Sequence, residues 1–182
     1  MKPLALYVHW PFCVTKCPYC DFNSHVVPAV DQSRWAAALS SEIARLAAEL
    51  PGRHLGSIFF GGGTPSLFSA KALGRLLAGV EQRIPFASDI DITLEANPGT
   101  FEQEKFKAYR QLGINRLSIG VQSFQQAKLQ ALGRIHNGDE AVRAAGMARA
   151  AGFDRWHSTT GMLSVFSASS RAATSPTVCT KE

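Results

Sequence analysis

The sequence predicts an α/β fold that forms part of a parallel (β/α) barrel, and three observations support this prediction. Short β-like runs alternate with amphipathic helical stretches from Leu4 to Gly152, which is typical of βαβ units with right-handed crossovers. The strands are apolar on one side only, so their other side faces something polar. With 182 residues, 46% of them hydrophobic and 18% charged, the chain has the composition of one globular domain.

Four strands are predicted, and each is followed by a helix. The strands are Leu4–Trp10, "SIFF" at 57–60, "DIDITLE" at 89–95 and "NRLSIGVQS" at 115–123. The first helix ends at Pro51-Gly52, and its apolar residues recur at helical spacing: Trp35, Leu39, Ile43, Leu46 and Leu50. The second helix follows "GGGTPS" and carries Leu73, Leu76, Leu77 and Val80.

The starts of the later helices are predicted from hydroxyl residues with glutamine three positions on. Thr100 with Gln103, and Ser123 with Gln126, have the spacing of a capping box. We therefore expect each of these hydroxyls to cap the helix that follows it. The last helix comes after an Asn-Gly turn and is expected over Asp139–Ala151.

The alternation of side chains suggests where a ligand would bind. In the third strand Ile90, Ile92 and Leu94 share one face, and in the fourth Leu117, Ile119 and Val121 do the same. The opposite faces are polar or small, which suits a barrel wrapped around a polar cavity. The polar residues nearest the carboxyl ends of their strands, where such barrels place active sites, are His9, Glu95 and Gln122.

Charge and hydropathy exclude some classes of protein. The net charge is +5, but the basic residues are scattered singly, so a nucleic-acid partner is not indicated. No apolar run approaches the ~20 residues that a membrane span requires. The N-terminus reads as a strand rather than a signal peptide, and we expect a cytoplasmic protein whose thiols stay reduced.

Cys13, Cys17 and Cys20 form a CxxxCxxC cluster in a chain with only four cysteines. One loop with this spacing can wrap a metal centre, whereas an odd number of thiols in a reducing compartment argues against a disulfide. From the spacing alone an iron–sulfur cluster, a zinc site and unligated cysteines remain open, in that order. Zinc would need a fourth ligand, for which the candidates are His9, His25 and Cys179.

The other candidate residues each have a simpler structural interpretation. The glycines of "GGGTP", which include Gly63 before Thr64, could point N–H groups at a ligand or only form a tight turn. Glu95 and Gln122 could line a site or lie at a solvated loop edge. Arg134 could face a carboxylate, and Tyr19 could shield a cluster, or both could be ordinary surface and loop residues.

Taken together, the motifs identify a known family. CxxxCxxC, "GGGTP", "EANP" and "SIGVQS" resemble the radical S-adenosylmethionine superfamily, and the likeness runs from about Leu6 to Phe153. Within it, "YVHWPFC", "CPYCDFNSH", "LEANPGT" and "LGRIH" are similar to the oxygen-independent coproporphyrinogen III oxidase group and its haem-chaperone branch. The fold class expected is therefore a partial (β/α) barrel of the radical S-adenosylmethionine type, with roughly four βα units.

This resemblance implies two cofactors and a set of binding residues. Cys13, Cys17 and Cys20 would ligate a [4Fe-4S] cluster whose open iron binds S-adenosylmethionine, and reductive cleavage would then give a 5′-deoxyadenosyl radical. The S-adenosylmethionine contacts carried over from the motifs are Tyr7, Tyr19, Gly63, Thr64, Glu95, Gln122 and Arg134.

The resemblance also points to a branch of the family. The oxidases carry one more cysteine, in CxxxCxxCxC, and Phe22 stands at that position here. Phe22 therefore favours a haem chaperone over a coproporphyrinogen III oxidase, and no catalytic residue is assigned. The partners implied are haem or another tetrapyrrole and a haem-acceptor protein.

Beyond His157 the sequence departs from the family pattern. We expect residues 1–157 to form the N-terminal part of the barrel, and residues 158–182, rich in Ser, Thr and Ala, to form an unrelated, disordered tail without a convincing strand. We also expect a truncated or frameshifted product whose fourth strand is a bare edge. An inactive fragment is therefore a further alternative to the two functions.

Overall fold

The computed structural model describes residues 3–100, 102–160 and 164–167, in which eight strands and five α-helices are found. The strands are β1 (Leu4–Trp10), β2 (Phe12–Cys13), β3 (His25–Val26), β4 (Leu55–Gly62), β5 (Phe86–Ala96), β6 (Arg116–Gln122), β7 (Arg155–Thr160) and β8 (Ser164–Ser167). The helices are α1 (Gln32–Ala48), α2 (Ala70–Glu81), α3 (Gln103–Gln111), α4 (Gln126–Ala131) and α5 (Gly138–Ala150).

The main sheet has six strands in the order β1, β4, β5, β6, β7, β8. The first five are parallel, and only β8 runs antiparallel to its neighbour. Helices connect consecutive parallel strands, as crossovers must. The α/β class and the four predicted βα units are thus confirmed, and a fifth parallel strand continues the series.

The helices pack on the apolar face of this sheet, as the side-chain alternation predicts. Ile92 and Leu94 of β5, with Leu117 and Ile119 of β6, are at most 2% exposed. They form one core with residues of α1, α2, α3 and α5. The small α5 residues Ala141, Ala144 and Ala148 lie in the same core.

Two predicted helix caps are wrong, although the helices begin nearby. The Thr100 hydroxyl donates instead to the Asn97 carbonyl within a short 3₁₀ turn, and α3 has no side-chain cap. The Ser123 hydroxyl accepts a bond from the Gln125 N–H, so it closes a local turn before α4.

The helix start that does carry a capping box lies further along the chain. The Asn137 side chain accepts from the Glu140 N–H at 2.8 Å, and the Glu140 carboxylate accepts from the Asn137 N–H at 2.7 Å. The Asn-Gly pair is therefore the beginning of α5 rather than a turn before it.

The region near His157 also differs from the expectation. Strand β7 crosses residue 157, ends at Thr160 and pairs with β6, so β6 is not the bare edge that the sequence suggests. Strand β8 covers β7 in turn, so a strand does follow residue 158. The expected tail at 168–182 lies outside the described residues.

Candidate functional site

A loop carrying three cysteines connects β1 to α1 at the carboxyl end of the sheet. The short parallel pair β2–β3 folds this loop back on itself. Cys13 is buried, Cys17 and Cys20 are partly exposed, and all three are free thiols. All three cysteines line a cavity of about 330 Å³.

The glycine-rich segment after β4 supports the cysteine loop rather than offering free donors. The N–H of Gly63 donates to the Trp10 carbonyl at 2.7 Å, and that of Thr64 donates to the Phe12 carbonyl at 2.9 Å. A Cβ at Gly63 would lie only 2.6 Å from the Phe12 oxygen and 3.0 Å from Cys13 Sγ. Of the two alternatives, the tight turn therefore describes Gly63 and Thr64, because the close approach of two protein segments uses both N–H groups.

Gly62, the residue before Gly63, also has to be a glycine. Its φ of 112° lies in the region that favours glycine. A Cβ there would lie 2.6 Å from the His9 ring. His9 Nε2 donates to the Asn23 carbonyl at 2.9 Å, which joins β1 to the far end of the cysteine loop.

Glu95 is the acidic group of the cavity and stands at the end of β5. Its carboxylate accepts a bond from the Gly62 N–H at 3.2 Å. Burial raises the pKa of Glu95 to about 6, although the Gly62 bond and His9 act in the opposite direction. A partly buried carboxylate at a cavity wall is suited to a cationic ligand.

Polar residues of β6 and β7 form the adjacent wall. Ser118, Gly120 and Gln122 alternate along β6 and all line the cavity. The Gln122 side-chain amide donates to the Thr159 hydroxyl at 3.2 Å. The polar face that the alternation predicts is therefore the face that holds the cavity.

Arg134, in the loop after α4, reaches across the mouth of the cavity. Its guanidinium donates to the Gly120 carbonyl at 2.6 Å and to Cys17 Sγ at 3.3 Å, and it lies 3.4 Å from the Tyr19 hydroxyl. Arg134 thus places a fixed positive charge next to one of the three thiols. It is a partner of the cysteine loop and not a surface arginine.

Six of the seven predicted contact residues line one cavity with the three cysteines. They are Tyr19, Gly63, Thr64, Glu95, Gln122 and Arg134. Tyr7 does not line it: its ring is 55% exposed, and its hydroxyl lies 3.3 Å from His9 Nδ1. Burial, and then the charge of Glu95, raise the pKa of Tyr7.

Sequence reasoning did not assign several further residues of the cavity wall to the site, among them Asn97, Ser118 and Thr159. Ser118 lies on the predicted polar face, so the alternation was the signal that could have found it. Thr159 falls in the segment expected to be an unrelated tail, and only the pairing of β7 with β6 brings it to the site.

The donors suit an iron–sulfur cluster better than a single ion. Within the described residues, no group of three or more His, Cys, Asp or Glu side chains lies close enough to hold one metal ion. A structural zinc ion requires four convergent ligands. A four-iron cluster is wider than a single ion, so its thiolate ligands lie further apart, and the free Cys13, Cys17 and Cys20 all line one cavity.

The chain was compared with known families and proteins. A model of the Radical SAM superfamily matches residues 7–166. The heme chaperone HemW of Escherichia coli strain K12 is 50% identical over 153 residues, which are 84% of this chain and 40% of that protein. The mitochondrial radical S-adenosyl methionine domain-containing protein 1 of Mus musculus is 42% identical over 146 residues, 80% of this chain and 33% of that protein.

The chain therefore spans well under half the length of these curated relatives. Among the helices in the part of the chain that the structure describes, none is both long and apolar enough to cross a membrane.

Solved structures show the same fold. Coproporphyrinogen III oxidase (HemN) from Escherichia coli matches with a TM-score of 0.78 and 31% identity, over 86% of this chain and 36% of that chain. Native anSMEcpe with bound AdoMet matches with a TM-score of 0.61 and 19% identity, over 86% of this chain and 43% of that one. The second likeness concerns the fold alone, and the first confirms the predicted partial barrel.

Proposed function

This chain belongs to the Radical SAM superfamily, and from that premise we propose that it holds a [4Fe-4S] cluster and S-adenosylmethionine in the cavity described above. Cys13, Cys17 and Cys20 are the cluster ligands. The observation that carries this proposal is that three free thiols, one partly buried acid and one fixed guanidinium all line a single cavity.

The polar groups of the cavity match the charges of S-adenosylmethionine. Its sulfonium and ammonium groups are cationic, and Glu95 offers a partly buried carboxylate. Its carboxylate is anionic, and Arg134 offers a guanidinium that already neighbours Cys17. When bound and reduced, the cluster supplies the electron for reductive cleavage of S-adenosylmethionine.

We further propose that the chain acts in haem metabolism, on the haem-chaperone branch. Relatives named heme chaperone HemW share 50% of aligned residues with it, although they are more than twice as long. Phe22, at the position of the extra oxidase cysteine, lines the cavity and is 52% exposed. A flat, apolar tetrapyrrole is a suitable partner for an exposed aromatic side chain of this kind. A haem-acceptor protein would be the second partner, and the cytoplasm the site of action.

The second candidate function is oxidative decarboxylation of coproporphyrinogen III. The likeness to coproporphyrinogen III oxidase (HemN) favours it, since that structure matches at 31% identity. Phe22 argues against it, because it brings no thiol where the oxidase pattern has one.

Anaerobic reconstitution tests the cluster. We expect about four irons and four sulfides per chain, as a [4Fe-4S] centre requires. Cys17→Ser should lose most of the iron and the absorbance of the cluster. Cys179→Ser is the matched control, since it removes the fourth thiol but none of the proposed ligands, and should retain the full amount. Equal iron in the wild-type chain and in Cys17→Ser would overturn the proposal.

Haem titration separates the two functions. A haem chaperone should retain haem through gel filtration and yield no protoporphyrinogen when incubated with coproporphyrinogen III, S-adenosylmethionine and a reductant. Formation of protoporphyrinogen would instead establish the oxidase reaction. If haem is not retained and no product forms, both functions are rejected for this chain.

A further inference from the structure

Gln122 has an unusual backbone conformation at the wall of the cavity. It is the last residue of β6 and has a φ of 67°, the only positive φ of a non-glycine residue in the part of the chain that the structure describes. A residue with a Cβ loses free energy in this left-handed region, where glycine would not. The conformation therefore indicates that the Gln122 side chain is needed where this turn places it.

The turn is held by one carbonyl group. The Val121 oxygen accepts a bond from the Ser123 N–H at 2.8 Å, which closes a tight turn around Gln122. The same oxygen accepts a second bond from His136 Nε2 at 2.9 Å. His136 is only 2% exposed, so water does not compete for this bond.

The loop after α4 thus donates hydrogen bonds to two consecutive carbonyls at the end of β6. Arg134 bonds the Gly120 oxygen at 2.6 Å, and His136 bonds the Val121 oxygen. Both bonds come from one short loop segment, so this loop fixes the backbone at the end of β6. Gln122 follows immediately and donates to the Thr159 hydroxyl on the neighbouring strand β7.

The tautomer of His136 follows from its partner. A carbonyl can only accept, so Nε2 carries the hydrogen and Nδ1 does not. Nδ1 is buried and has no hydrogen-bond partner among the described residues. A second proton would therefore be buried without an acceptor and close to the Arg134 guanidinium, and burial followed by this charge lowers the pKa of His136.

We propose that His136 is a positioning residue of the S-adenosylmethionine site: its bond to the Val121 carbonyl fixes the left-handed turn that aims Gln122 into the cavity. This inference rests on the proposed function, because it assumes that S-adenosylmethionine is what Gln122 meets there. His136 itself does not line the cavity, so it acts through Gln122.

A double-mutant cycle on the anaerobically reconstituted full chain tests this role. The probe is S-adenosylmethionine, and the readout is its Kd by calorimetry. We expect His136→Ala and Gln122→Gly each to weaken binding by about tenfold, and the double variant to bind no more weakly than Gln122→Gly alone. His136→Gln keeps a side-chain N–H donor and should restore most of the affinity. Additive losses in the double variant, or no recovery in His136→Gln, would overturn the inference.

A second measurement keeps the inference separate from the proposed function. Amide hydrogen exchange of Ser123 reports the tight turn directly, since its N–H donates to Val121. We expect His136→Ala to speed this exchange and His136→Gln to slow it again. Absence of S-adenosylmethionine binding in the wild-type chain would defeat the proposed function, whereas unchanged Ser123 exchange in His136→Ala would defeat the role of His136 in the turn.

Discussion

The two faces of the main sheet are built from the same strands, but one contributes the apolar core and the other contributes the polar wall of the cavity. On the helix-packed face, Leu94 and Leu117 are completely buried in a continuous apolar core. On the cavity face, the same strands present Glu95 and Ser118 to the site. Adjacent residues of one strand therefore have different roles: one packs into the core that stabilises the fold, and the next faces the cavity.

The cavity face retains several features that cost free energy. Glu95 has a raised pKa because its carboxylate is partly buried, and Gln122 lies in the left-handed region. His157 has a buried Nδ1 without a hydrogen-bond partner among the residues that the structure describes. None of these features is needed to form the core. The comparison indicates that the helix-packed face compensates for a binding face that is destabilising without its ligand.

The largest expected effect comes from breaking the helix-packed face. Leu94→Ala should lower the free energy of unfolding by about 3 kcal/mol, because it leaves a cavity in a fully buried core. Chemical denaturation measures this change. Val142→Ala, on an α5 side chain that is 61% exposed, is the control and should change stability by less than about 0.5 kcal/mol. Similar losses for the two variants would contradict the contrast between the faces.

The next largest effect is expected from the buried Tyr109 hydroxyl, on the helix-packed side of the sheet. Tyr109 is fully buried in α3, and its hydroxyl donates to the carbonyls of Ser66 and Phe68, which holds the segment after the glycine loop. Tyr109→Phe should lower the free energy of unfolding by about 1–2 kcal/mol, because both buried carbonyls lose their donor.

Thermal and denaturant unfolding of Tyr109→Phe and of Tyr7→Phe provide the comparison. The Tyr7 ring is 55% exposed, so its variant should be nearly neutral. A Tyr109→Phe protein as stable as the wild-type chain would show that these bonds do not hold the segment.

On the cavity face, removing a charge should stabilise the protein. The pKa of Glu95 is about 6 in the folded chain and 4.5 in the reference state, so its favourable contribution is complete below about 4.5 and is lost as the pH rises through 6. At pH 7.5, Glu95→Gln should therefore raise the free energy of unfolding by about 1–2 kcal/mol. The same variant should weaken S-adenosylmethionine binding, because the cationic ligand loses its counter-charge.

Unfolding curves at pH 5 and pH 7.5 test the sign of the change in the free energy of unfolding that Glu95→Gln causes. The stabilisation by Glu95→Gln should be larger at the higher pH. If Glu95→Gln is less stable than the wild-type chain at pH 7.5, the charged Glu95 carboxylate does not destabilise the fold.

The smallest effect is a loss of stability in acid. Burial lowers the pKa of both His136 and His157. For His136 the charge of Arg134 lowers the pKa further, while the Val121 bond and Glu140 partly offset the decrease. For His157 the charge of Arg116 lowers the pKa further. A depressed histidine pKa means that stability is complete above the unfolded pKa of about 6.5 and falls as the pH drops below it.

This effect is best measured in the Glu95→Gln background, because Glu95 titrates with the opposite sign. We expect the free energy of unfolding to fall between pH 7 and pH 5, and the slope to shrink when His157→Gln is added. His25→Gln, at an exposed position, is the control and should leave the slope unchanged.

Several parts of the site could be predicted from the sequence, and the reason is local. The CxxxCxxC spacing places three thiols on one loop, and period-2 alternation assigns Glu95 and Gln122 to the face opposite the core. The structure places these residues around one cavity. Which of them contact the cofactors stays a prediction, as do the boundary at residue 157 and the structure of the segment 168–182.

The remaining features depend on pairings between segments far apart in the chain. The N–H groups of Gly63 and Thr64 donate to the carbonyls of Trp10 and Phe12, about fifty residues earlier. Thr159 reaches the site only because β7 pairs with β6. His136 holds a carbonyl fifteen residues before it.

The sequence alone therefore determined the order of the four predicted strands and the helices between them, the apolar and polar faces, and the three thiols of one loop. These features follow from short-range spacing, which secondary structure converts directly into geometry. The tertiary structure alone decided the partners of the glycine loop, the strained turn at Gln122 and the partner strand of β6. Hydrogen bonds and steric contacts between distant segments decide these, and no local pattern encodes them.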